Sequence, residues 1–209
     1  MNASEQDFLV RASFENFQSE YIGPEHCNPR QIEDWIEKTK IIEQLMLHQN
    51  RYFLIFSHID YYPIYFSNNF EDFIGYDLDF LSRQGLWYAF KRLHWSQLSF
   101  FLNIHRWATR FKKGNRTNIP LRDHHRYFCG MRFKNGWGDY RSYFLRQKML
   151  MVNDKNQSVL SFVEVEDITA IYKSKHFWSR MVAKNEEQQY ARLYLSNGQK
   201  KEYNDHCIL

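Results

Sequence analysis

An α+β fold is the class this sequence predicts, and three observations carry the prediction. Between Pro29 and Met46 apolar residues recur at helical spacing, while from Arg51 the pattern changes to short runs rich in aromatic and β-branched residues. From His124 onward, three long alternating runs are separated by turns built from Gly, Asn and Asp. The 209 residues suffice for one principal core with accessory segments, and an aromatic share of 18% favours packing over disorder.

Taken in order, residues 4–20 predict a short amphipathic helix, with Ser4 and Asp7 at its start and Phe8, Leu9, Ala12 and Phe17 as a partial stripe. After the Gly23-Pro24 break, Asn28 can cap a second helix and Pro29 suits its first turn. Ile32, Trp35, Ile36, Ile42, Leu45 and Met46 form its apolar stripe. That stripe must be buried, either on the sheet of the following domain or against a second copy in a homodimer. Tyr52 to His58 and Ile64 to Ser67 read as two strands joined by a turn over Ile59 to Pro63. The Ser67 hydroxyl is expected to cap a helix near 69–74 that Gly75 stops by adopting positive φ, and Asp77 to cap another at 78–84. Residues 86–93 carry no clear pattern. Trp95 to Phe111 predicts a long helix with Leu98, Phe101, Leu102, His105, Trp107 and Ala108 spread around it, as expected of a helix packed on a sheet.

Beyond a loop over Lys113 to Asp123, Tyr127, Cys129, Met131 and Phe133 are expected on one apolar strand face. Strands near 139–152 and 158–166 follow through turns at Asn135 to Asp139 and Asn153 to Gln157. Phe177 to Ala183 and Tyr190 to Ser196 read as a separate small hairpin. The chain thus divides into a helical segment over 1–50, a domain over 51–173, and a hairpin with linker over 174–209.

A net charge of +4 is mildly basic, but Lys and Arg are interleaved with Asp and Glu, which describes a solvated surface better than a nucleic-acid face. The densest basic cluster, Arg106, Arg110, Lys112, Lys113 and Arg116, suits a helix C-terminus. Three distant cysteines, Cys27, Cys129 and Cys207, make no disulfide framework, and a reducing cytoplasm fits best. No segment approaches the roughly 20 apolar residues that span a bilayer, so no membrane partner is expected.

Catalytic chemistry is hard to find. There is no Gly-x-Ser-x-Gly elbow, no phosphate-cradling Gly-rich loop and no His-Glu-x-x-His. His124 and His125 beside Asp123 form the densest histidine cluster, yet adjacent strand residues point to opposite faces and cannot share one metal. The expectation is a non-catalytic protein without an assigned metal or cofactor. Trp87, Phe101, His105, Trp107, Phe128, Tyr143 and Phe162 are the candidates for lining a ligand cavity between sheet and helices, which the same large side chains could instead fill.

The order of elements, two strands, short helices, a longer helix and three long antiparallel strands, resembles the PAS domain over roughly residues 50–173. Local segments resemble that family as well: Tyr65 to Phe70 with Ile74-Gly75-Tyr76, Phe133 to Trp137 at the turn before the second long strand, and the ending Asp167-Ile168-Thr169. Leu93-His94 resembles the start of the family's long helix, with Trp95-Ser96 where Pro-Glu is usual. The resemblance implies a five-stranded antiparallel sheet with helices on one face and a small apolar or aromatic ligand between them. It would place His105 where haem-binding members keep their ligand, while the absence of cysteine between Cys27 and Cys129 rules out the flavin-linked branch. The surrounding helix and hairpin make the chain similar to the sensory part of bacterial PAS regulators that end in a LuxR-type helix-turn-helix. It implies a signal-sensing, homodimeric module of a transcription regulator that reaches DNA only through an output domain. A ligand-free protein-interaction scaffold is the alternative, and a metal-dependent enzyme a more distant one.

Overall fold

One antiparallel sheet organises the chain. The computed structural model describes residues 29–47, 51–59, 62–113, 124–154, 157–172, 177–184, 189–195 and 200–204. The helix expected at 4–20, Cys27 and Cys207 lie outside them. The strands are β1 (Tyr52–Ser57), β2 (Pro63–Phe66), β3 (His124–Lys134), β4 (Tyr140–Val152), β5 (Ser158–Asp167), β6 (Trp178–Lys184), β7 (Gln189–Leu195) and β8 (Lys200–Asn204). Their order across the sheet is β2-β1-β5-β4-β3-β6-β7-β8. The helices are α1 (Pro29–Leu47), α2 (Phe70–Ile74), α3 (Leu78–Arg92) and α4 (Trp95–Lys113).

The expected five-stranded sheet is therefore corrected to a longer one. Strand β6 pairs along β3 from His124 opposite Ala183 to Cys129 opposite Trp178, so the C-terminal hairpin is not a separate unit. An open edge on β3 accepts it, and Phe177 anchors the junction, 2% exposed with its ring edge-on to Phe100 at 4.2 Å. Strand β8, Lys-Lys-Glu-Tyr-Asn, lacks the alternation that marks a half-buried strand and was invisible to pattern.

Local turn chemistry follows the sequence closely. Gly75 ends α2 in the left-handed region at φ 70°, and the Asp77 carboxylate accepts the Phe80 N–H at 2.7 Å to cap α3. Ser67 does something else. Its hydroxyl accepts the Phe53 N–H at 3.2 Å, binding the end of β2 to β1, while Asn69 stands at the start of α2 without a side-chain cap. The patternless residues 86–92 are helical: α3 kinks at Gly85 (φ 58°) and resumes. A Cβ there would meet the Tyr62 ring at 2.6 Å.

Strand β3 does not alternate evenly. Gly130, at φ 78°, bulges between Cys129 and Met131, so Phe128, Met131 and Phe133 face the helices while Tyr127 and Cys129 face the other way. The single face expected for Tyr127, Cys129, Met131 and Phe133 is thus split. Tyr127 stacks near Phe144 on the outer face at 6.3 Å. Gln97 of α4, only 5% exposed, fixes the bulge: its amide donates to the Gly130 carbonyl and accepts the Arg132 N–H, both at 2.8 Å.

Helices α2 to α4 cover one face of the sheet and α1 lies on the other, over β1 and β5. Ile32, Trp35 and Ile36 pack against Ile55, Val159 and Leu160, and Met46 is buried. Thr39 and Glu43 continue that inward face, whereas Ile41, Ile42 and Leu45 are exposed. The six residues expected as one dimer stripe therefore divide. Ile32, Trp35, Ile36 and Met46 serve the chain's own core, and Ile42 and Leu45 point outward.

Candidate functional site

Period-two alternation decides which side chains meet the helices. Leu54 and Phe56 of β1, Val163 and Val165 of β5, and Tyr143 and Leu145 of β4 form an apolar floor, which β3 extends with Phe128 and Met131. Phe66, Phe70, Tyr88, Phe90 and Phe101 rise around it, bordering a cavity of about 300 Å³ that is partly open to solvent. This is the lower end of the size range of small-molecule sites, about 300–1,000 Å³.

Polar groups enter the cavity in two places. At the β1 end, His58 Nε2 shares a hydrogen bond of 3.0 Å with the Ser161 hydroxyl, which accepts the Gln147 amide at 3.1 Å. Arg126 lies opposite Gln147 in the β3–β4 register, with its guanidinium 4.4 Å from the Phe128 ring. A polar row thus crosses β1, β5, β4 and β3 on an otherwise apolar face.

At the other end stand Tyr76, Tyr88, Arg92 and Asn135. The Tyr76 hydroxyl donates to the carbonyls of Lys134 and Asn135, at 2.8 and 2.6 Å. Burial, and then its bond to Tyr88, raise its pKa above the usual tyrosine range. Arg92 donates to the Tyr88 hydroxyl at 2.7 Å and lies 5.4 Å from the Tyr76 ring. Asn135 is 2% exposed, and its Oδ1 accepts the Asp139 N–H at 2.8 Å. Among the described residues its Nδ2 has no hydrogen-bond partner. Tyr143 on the floor is pushed up to about 12 by burial and then by the Asp167 charge.

Of the expected cavity residues, Phe101, Phe128 and Tyr143 line it. Phe162 does not. It alternates with Val163 and stacks on Phe53 at 4.9 Å on the face that carries α1, because β5 turns its valines inward. The side chains of Trp87, His105 and Trp107 lie outside the described residues, as do those of Arg106, Arg110, Lys112 and Lys113. Sequence reasoning missed Arg92, Arg126, Asn135, Gln147 and His58. A polar residue among aromatics on a strand reads as solvent-facing, and only the bulge and pairing register turn Arg126 and Gln147 inward.

The Asp167-Ile168-Thr169 ending closes the last long strand of the floor. Thr169 donates its N–H to Asp167 at 2.8 Å, its hydroxyl accepts the Ser142 N–H, and Arg141 pairs with Asp167 at 2.8 Å. Burial opposes ionisation of Asp167, but the Thr169 and Arg141 bonds outweigh it and hold the carboxyl below its usual range. No described helix is long and apolar enough to cross a membrane. No protein-family model matches the chain, and no curated protein matches it.

Proposed function

We propose that this chain is a non-catalytic, PAS-like sensory module that binds a small ligand between helices and sheet and relays binding through α1. The observation that carries the reading is the apolar cavity of about 300 Å³, walled by the five strands β1 to β5 and roofed by α2 to α4. The order of elements, two strands, three helices and three long strands in one sheet, supports the family resemblance. A relay needs a physical link, and Glu43 of α1 supplies one. Its carboxylate accepts the Tyr65 hydroxyl at 3.0 Å and the Asn68 N–H, so α1 is tied to the strand whose Pro63 and Phe66 line the cavity. In this reading the exposed Ile41, Ile42 and Leu45 meet a second copy, and the DNA-binding output belongs to another domain of a LuxR-type regulator. The same exposed residues favour a second reading, a scaffold that pairs proteins without a ligand.

Native and denaturing mass spectrometry of the freshly purified chain, with an absorbance scan on the same sample, tests both. A dimer carrying an extra small mass is expected for the sensor. A clean apo dimer moves the weight to the scaffold, and a strict monomer at high micromolar concentration with no added mass overturns both.

A further inference from the structure

We propose that the cavity selects an amphipathic organic anion, with an apolar body over the aliphatic floor and a carboxylate against Arg92 and the Asn135 amide. The inference rests on the cavity being a ligand site and adds the chemistry of the ligand.

Four observations lead to it. First, among the described residues no Asp or Glu lines the cavity, whereas Arg92 and Arg126 do. Low-dielectric walls strengthen the field of such cations toward any anion that enters. Second, the described contacts of Arg92 are with the rings of Tyr76 and Tyr88 and the Tyr88 hydroxyl. A guanidinium carries five N–H donors in a planar fork, so most of its donor capacity stays available to a carboxylate. Third, Asn135 Nδ2 is a buried donor on the cavity wall that has no partner among the described residues. The Asp139 N–H bonded to Oδ1 fixes which amide atom is the donor. A buried donor without an acceptor costs about 1–3 kcal/mol, which a ligand oxygen would recover. Fourth, Tyr76 touches both groups, with its hydroxyl on the Asn135 carbonyl and its ring beside Arg92, so the two donors belong to one end of the cavity. Between the two polar ends the floor is Leu54, Leu145, Val163 and Val165, which offers a ligand body no hydrogen bonds.

Octanoate and octan-1-ol share one chain and differ in the head group, and each can be titrated into the full chain by calorimetry. Wild type should bind octanoate about tenfold or more tighter than the alcohol, the gain expected of charge-assisted hydrogen bonds. Arg92→Met keeps the apolar stem and should abolish the preference, with octanoate binding falling to the level of octanol. Asn135→Asp keeps the acceptor for the Asp139 N–H, replaces the donor with a negative charge, and should weaken octanoate selectively. Retained octanol binding shows in each variant that the fold survives. Equal binding of acid and alcohol by wild type would overturn the anion preference and leave the ligand cavity standing. Binding of neither would overturn the cavity reading and this inference together. Unchanged selectivity in both variants would refute the assignment of the head group to this end.

Discussion

Replacing Glu43 with alanine should loosen α1 from the sheet and lower stability by about 2–3 kcal/mol. Glu43 is 4% exposed and accepts two hydrogen bonds, from the Tyr65 hydroxyl and the Asn68 N–H. Bonds to a charged acceptor contribute about 1.5–3 kcal/mol each, so the gross loss is about 3–6 kcal/mol. Removing the carboxylate also removes the cost of burying it, which offsets part of that loss and leaves the smaller net figure. With a urea slope of about 2–3 kcal/mol/M for a chain of this size, the unfolding midpoint should fall by about 1 M. Glu43→Gln retains the shape and one acceptor and should lose about half as much. A second readout is independent of global stability. Tyr65 is pushed up to about 12 by burial first and by the bond and charge of Glu43 next. In Glu43→Ala its ionisation, followed at 295 nm against a Tyr65→Phe reference, should move down toward the ordinary value of about 10 while burial keeps it above. A midpoint within error of wild type, or an unmoved Tyr65 titration, would refute the link between α1 and β2.

Gly136→Ala should be among the most damaging single changes, because a Cβ there would lie 1.5 Å from the Gly75 carbonyl oxygen, a backbone atom that cannot swing away. A loss of about 3 kcal/mol, or roughly 10 °C in melting temperature by circular dichroism, is expected, and an unchanged melt would refute the close approach of the two turns. Gln97→Ala strips both partners from the Gly130 bulge and should cost about 2–4 kcal/mol in urea unfolding. Faster hydrogen exchange at Arg132 should accompany it. Stability should be full below pH 10 and fall as pH rises from 10 toward 12, because the unfolded chain then releases tyrosine protons that Tyr65 and Tyr143 still hold in the fold. Fluorescence-monitored unfolding across that range measures it, and a flat profile would contradict the burial of these phenols.

Much of the architecture was legible because it rests on local chemistry. The switch of period at Arg51, the positive-φ glycine at Gly75, the Asp77 cap and the Asn135 to Asp139 turn each depend on residues within a few positions. What escaped depends on partners far along the chain. The bulge at Gly130 is held by Gln97, and the inward turn of Arg126 and Gln147 follows from strand register. The merger of the C-terminal hairpin with the main sheet depends on backbone pairing to β3, which side-chain pattern does not encode. Phe162 was misplaced for a related reason. Composition made it a cavity candidate, but parity with Val163 sends it to the opposite face.

The cavity itself runs against composition, since a chain with 18% aromatic residues has ample volume to fill its interior. Many of the rings are engaged with one another around the cavity rather than across it. Phe73 stands edge-on to Tyr143 at 5.7 Å, Phe90 to Phe101 at 5.3 Å, and Tyr76 and Phe80 to Tyr88 at 5.3 and 5.1 Å. Edge-to-face pairs are favoured over parallel contact by the ring quadrupoles; the pair of Phe73 and Tyr143 sets α2 at ring height above the sheet, and the other pairs lock α3 to itself, to its leading loop and to α4. The middle of the floor is aliphatic at Leu54, Leu145, Val163 and Val165, side chains too short to close the gap. Space is therefore a consequence of where the large rings are placed rather than of how many there are. The strand that closes one side of it is short: within β2, Phe66 faces the cavity and its neighbour Tyr65 faces Glu43 on α1. In the proposed relay, a ligand that displaced this four-residue strand would act on the helix on the opposite face through the hydrogen bonds that Glu43 accepts from Tyr65 and Asn68.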